Sequence, residues 1–101
     1  LKLKREMIMN DETKEVLLIL QEECAEVIQA ISKCFRFGPD HLKPGKEKTN
    51  MQHLEEEVGD LLAMVELLTD LNIGVTMDGI TQAKINKFQK LKKWSTLKID
   101  K

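Results

Sequence analysis

The stretch "LEEEVGDLLAMVELL", Leu54 to Leu68, decides the fold. It contains no proline and keeps a sustained apolar rhythm, so it is predicted to be helical. Wound at about 100° per residue, Leu54, Leu61, Val65 and Leu68 fall along one side, with Met64 and Leu71 beside them. That side is predicted to be buried. Glu55, Glu56, Glu66 and Asp70 fall opposite, where acids belong. Glu57 and Asp60 instead point into the apolar stripe. Burying a carboxylate without a partner costs on the order of several kcal/mol, so something must compensate these two.

Two further helices flank this one. The first opens at Asn10 or Asp11, either of which can cap free N–H groups, and stops at the breaker pair Gly38-Pro39. Its apolar stripe carries Val16, Leu17, Leu20, Cys24, Val27, Ile28, Ile31 and Phe35, while Leu18, Ile19, Ala25 and Ala30 lie outside it. The segment "GPDHLKPGKEK" holds both prolines and reads as a loop. Thr49 to Gln52 has the Thr-x-x-Gln form of a capping box and starts the second helix. A third begins near Thr76 or Asp78. The predicted helices are 11–37, 50–72 and 77–93, with no competing strand pattern. The expected class is all-α, one domain over residues 1–101. A first helix apolar around so much of its circumference exceeds what three helices can cover in a chain this small. The expectation is therefore a helical bundle assembled from two or more subunits, a homodimer or a homotetramer formed as a dimer of dimers.

Composition removes several function classes. The chain has 101 residues, 42% apolar and 33% charged, enough to fold as one modest domain. A net charge of −1 supplies no basic field for nucleic acid. No apolar run approaches the roughly 18 residues of a membrane span, and no secretory leader is visible. Cys24 and Cys34 lie ten residues apart on one helix, about 15 Å along its axis. They cannot bridge each other and are expected to be reduced core thiols. A cytoplasmic protein with no nucleic-acid or membrane partner is expected.

On the first helix "EECAE" supplies Glu22, Glu23 and Glu26, all on neighbouring faces beside the apolar stripe. If the first two helices pack antiparallel, Glu23 and Glu26 face Glu57 and Asp60. Unaided, four such carboxylates repel one another or titrate to neutral acids. A hard divalent cation resolves the conflict, and oxygen-only ligands select Mg²⁺, Mn²⁺ or Ca²⁺ over zinc or copper. Di-iron bundles need Glu-x-x-His pairs, and neither His41 nor His53 follows a Glu by three. Glu-x-x-Glu is common on any helix, so "EECAE" alone reads as well as a solvated acidic face. Glu57 and Asp60 resist that reading, because they sit where leucines belong.

The combination of "EECAE" and "EVGD" on successive helices resembles the EExxE … ExxD signature of MazG-like all-α nucleotide pyrophosphohydrolases, and "EECAEVIQAISKCFRFG" reads in the same way. The resemblance runs from about Glu15 to Lys93. It implies a dimer or dimer of dimers whose sites hold Mg²⁺, with Mn²⁺ as a possible substitute. The implied reaction converts a free (deoxy)nucleoside triphosphate to monophosphate and pyrophosphate. By that match Glu23, Glu26, Glu57 and Asp60 are metal ligands, and Glu22 is the catalytic acid that orients water or supports the ligands. Two features depart from the family pattern. Residues 27 to 56 make a long interval between the motifs, and "AKINKFQKLKK" offers lysines and Asn86 but no arginine.

The substrate's phosphates also need cations. Lys33 lies near the face of Glu22 and Glu26, and Arg36 follows at the helix end. On the third helix Lys84 and Lys87 share a side with Ile80 and Leu91, so they are expected to point inward, and Asn86 can read a base or ribose. Phe37, Trp94 and His53 are expected to serve packing. The alternative to an enzyme is a catalytically silent helical dimer that binds nucleotide or a partner protein.

Overall fold

The computed structural model describes residues 9–101. Three helices carry the described residues: α1, Asp11–Phe37; α2, Asn50–Asp70; and α3, Met77–Trp94. Among the described residues there is no strand, and Leu42 and Thr49 form an isolated antiparallel bridge. The class is all-α. Among the described residues no helix is long and apolar enough to cross a membrane.

Side-chain caps set where the helices begin. Asn10 Oδ1 accepts from the Thr13 amide at 2.8 Å and opens α1. Thr49 and Gln52 form a reciprocal capping box: the Gln52 amide donates to Thr49 Oγ1 at 3.1 Å, and the Thr49 amide donates to Gln52 Oε1 at 2.9 Å. Thr76 Oγ1 accepts from the Gly79 amide at 2.9 Å and opens α3. α1 stops at Gly38, whose φ of 98° a side chain would resist. α2 ends at Asp70, two residues before the expected Asn72, because Asn72 itself has left the helix with a φ of 55°. α3 runs one residue past the expected end, to Trp94.

The described chain comprises two compact units, one ending at Leu68 and the other spanning Thr69–Lys101. In the first, α1 and α2 run antiparallel. Asn50, at the start of α2, donates through Nδ2 to the Gly38 carbonyl at 2.9 Å and the Lys33 carbonyl at 3.4 Å near the end of α1. The Asn50 amide also donates to His41 O at 3.2 Å, and the Met51 amide to Pro39 O at 3.0 Å. Together these bonds tie the loop after α1 to the start of α2.

The packed face of α1 differs from the expected stripe. Val16, Leu20, Glu23, Val27 and Cys34 are half-buried, and Ala30 is fully buried at 0% exposure. Ile28 and Phe35 are exposed at 67% and 87%, and Ile31 and Cys24 are exposed too. The buried face is thus rotated toward Ala30 and includes Glu23. The core position expected for Cys24 is corrected by this rotation, because Cys24 shares the Ile28–Ile31–Phe35 side. Both cysteines are free. On α2, Met51, Val58, Leu62 and Leu67 are exposed, and Leu68 is buried. Ala30 and Leu68 are the buried apolar residues among those described.

Candidate active site

Antiparallel packing brings the middle of α1 against the first half of α2. Glu23, Glu57 and Asp60 each offer a carboxylate oxygen there, and the three oxygens lie within 4.8 Å of one another. Glu23 and Glu57 are half-buried and Asp60 is exposed. The Glu57 side chain retains 13% of its exposure, and its Oε1 lies 3.2 Å from His53 Nε2, one turn earlier on α2. The spacing explains the arrangement: Glu57 and Asp60 are three apart and share a helix face, which α2 turns toward Glu23.

The electrostatics are those of crowded acids. Burial, then the charges of Asp60, Glu57, Glu26 and Glu22, push the Glu23 carboxyl above its ordinary range. Glu22 and Glu26 are exposed on α1. Glu26 lies outside the three-oxygen group, although its charge still reaches Glu23. The expected convergence of four carboxylates is therefore three with a fourth beside them. All three donors are hard oxygens without a sulfur or imidazole among them, and such a set fits Mg²⁺ or Mn²⁺.

The other candidate residues are distributed unevenly. Lys33 is half-buried and lines a cavity of about 740 Å³ between the end of α1, the following loop and the start of α2. Arg36 is exposed outside that lining and sits 4.9 Å above the Phe37 ring. Lys84, Asn86 and Lys87 belong to the unit Thr69–Lys101 and are all exposed on α3. The inward aspect expected of Lys84 and Lys87 is absent within this unit, where Ile80 and Leu91 are half-buried instead. Asn86 Oδ1 accepts from Gln82 Nε2 at 3.0 Å along the helix surface.

The family comparison bears on this geometry directly. Residues 11–96 match the MazG nucleotide pyrophosphohydrolase domain. The chain belongs to the MazG family. No similar curated protein and no similar solved structure was found. The carboxylate group and the cavity both fall within the matched MazG domain, a family of nucleotide pyrophosphohydrolases.

Several cavity residues lie outside the expected site set of this MazG domain, and of these His53 meets one of the carboxylates. His53, whose inward place one turn before Glu57 puts it at the pocket border although packing is its expected role, lines the cavity and sits against Glu57. Phe37 and His41 stack with ring centroids 5.9 Å apart. His41, Lys43 and Lys46 of the loop also line the cavity, and the signal for the lysines was the Lys-Pro-Gly-Lys spacing.

Proposed function

We propose that this MazG-family chain hydrolyses free (deoxy)nucleoside triphosphates to monophosphate and pyrophosphate in a Mg²⁺-dependent reaction, with Mn²⁺ able to substitute. One observation carries the reading: three carboxylate oxygens within 4.8 Å of one another, on facing sides of two antiparallel helices. Glu23, Glu57 and Asp60 hold the metal, and Glu26, whose charge already acts on Glu23, completes the ligand set. When bound, Mg²⁺ neutralises phosphate oxygens and lowers the pKa of a coordinated water. His53 holds the Glu57 carboxylate in orientation from one turn away. Glu22 accepts a hydrogen bond from the attacking water and orients it. Lys33 binds phosphate oxygens from the cavity wall, and Arg36 contributes a further contact to phosphate. No side-chain nucleophile is required, and exposed Cys24 has no part in the step.

The working form is a homodimer or a homotetramer. Leu18, Ile28 and Phe35 on α1 and Val58 and Leu62 on α2 are all exposed, while the acids Glu23 and Glu57 occupy the packed side of the same helices. A lone subunit thus leaves its larger apolar side chains in water, and a second copy of the same surface covers them. A cytoplasmic location accompanies this reading.

The test is a panel of the common ribo- and deoxynucleoside triphosphates, each incubated with Mg²⁺ and with EDTA, with products separated by ion exchange. Monophosphate and pyrophosphate in equal amounts, formed only with Mg²⁺, are the expected result. Survival of every nucleotide would favour a binding module instead.

A further inference from the structure

The cavity beside the carboxylates has a chemistry of its own. Of the four lysines that line it, Lys48 is paired with Glu56. Lys33, Lys43 and Lys46 remain, and Glu47 is the one other acid in the lining. The excess is cationic, and Glu23, Glu57 and Asp60 lie outside this lining. His53 joins the two, since it lines the cavity and sits 3.2 Å from Glu57 Oε1.

The loop holds the backbone of Lys43 and Lys46 in a defined turn. The Lys46 amide donates to the Lys43 carbonyl at 2.9 Å, closing a four-residue turn with Pro44 and Gly45 at its centre. Pro44 presets the first central φ, and Gly45 has a φ of 80°, which together fit a type II turn. Lys43 and Lys46 are the two ends of that turn, so their backbones lie within about 7 Å of each other. Asn50 secures the base of the loop through the Gly38, Lys33 and His41 carbonyls. Two cations are thereby presented from one rim, and Lys33 comes from α1.

We infer that this cavity receives the terminal phosphates of the substrate, and that Lys43 and Lys46 read the length of the phosphate chain, favouring a triphosphate over a diphosphate. The inference rests on the proposed pyrophosphohydrolase reaction. A chain of phosphates whose inner part is held at Glu23, Glu57 and Asp60 extends past His53 into the lysine-lined space. The lysines then neutralise the departing pyrophosphate, a task the acids beside them cannot perform.

Two measurements separate this inference from the reaction it builds on. The first is amide NMR of the full chain in EDTA, titrated with inorganic pyrophosphate. Saturable shifts at His41, Gly45 and Lys46 are expected, weakening with salt and lost in the Lys43→Ala/Lys46→Ala variant. Absence of shifts there, or equal shifts in the variant, would overturn the inference whatever the enzyme's activity. The second compares kcat/KM for a nucleoside triphosphate and its diphosphate. The double variant is expected to lower the triphosphate value by about tenfold, mainly through KM, and the diphosphate value by less. Substitution of both lysines by arginine should restore the preference. A preference unchanged in Lys43→Ala/Lys46→Ala would refute chain-length reading. If the wild type cleaves no nucleotide, the reaction fails and the pyrophosphate titration still decides the cavity.

Discussion

Glu23 carries the tension of the site. Its carboxyl is held above the ordinary value by burial first and by Asp60, Glu57, Glu26 and Glu22 after it. Between its ordinary and raised values the folded chain binds more protons than the unfolded one, so stability falls as pH rises through that window. Glu56 behaves oppositely: its hydrogen bond from Lys48 holds its carboxyl low, partly opposed by burial and aided by the charges of Lys48 and His53. Its contribution is present above the ordinary value and is lost as pH falls through the lowered one. The two windows therefore flank the ordinary value of 4.5. In EDTA, Glu23→Gln should raise Tm at neutral pH and abolish the decline above 4.5, while Lys48→Ala should remove the acid-side gain. Urea unfolding across a pH series checks both, and an unchanged profile in Glu23→Gln would dissociate the carboxylates from stability. At this scale Glu57 was legible because it interrupts an apolar stripe, whereas Asp60, expected in the same stripe, is exposed. Glu26 was harder to place, since Glu-x-x-Glu spacing does not say which of two acids a helix turns toward its neighbour.

At the scale of elements, boundaries depend on a few side chains. Thr49 and Gln52 close a reciprocal box at the start of α2, and the same helix delivers His53, Glu57 and Asp60. Thr49→Ala is predicted to cost about 1 kcal/mol in chemical denaturation, with Thr49→Asn or Thr49→Ser retaining most of it. Loss of less than a few tenths of a kcal/mol would show that the box is idle. The caps at Asn10, Thr49 and Thr76 were readable, because each is a polar side chain preceding an apolar rhythm. The buried face of α1 was not. With apolar residues on most sides of the helix, periodicity supports more than one stripe, and the choice of Ala30 over Ile28 is made by what α2 presents. The lysine loop escaped for another reason: a turn's cations gain meaning only when the chain folds them beside the acids.

At the scale of the molecule, the apolar ledger of a single chain does not balance. Phe35 is 87% exposed and Ile28 67% exposed, on the same side of α1, and fully burying each such side chain contributes roughly 1.5–3 kcal/mol. Ile28→Glu/Phe35→Glu is predicted to shift the sedimentation coefficient to that of a monomer and to lower Tm. A double variant that sediments like the wild type would remove this face from the interface. The surplus of apolar residues on the first helix was legible in the sequence, although the sequence did not identify which face remained open.

The most direct test of the carboxylate centre is Mn²⁺ binding followed by electron paramagnetic resonance, comparing the wild type with Asp60→Asn at matched helix content. The account predicts saturable binding by the wild type, weakened more than about 100-fold in the variant, beyond the usual cost of losing a supporting outer group, together with loss of turnover. Equal Mn²⁺ affinity in the two proteins would contradict it and separate Asp60 from the metal.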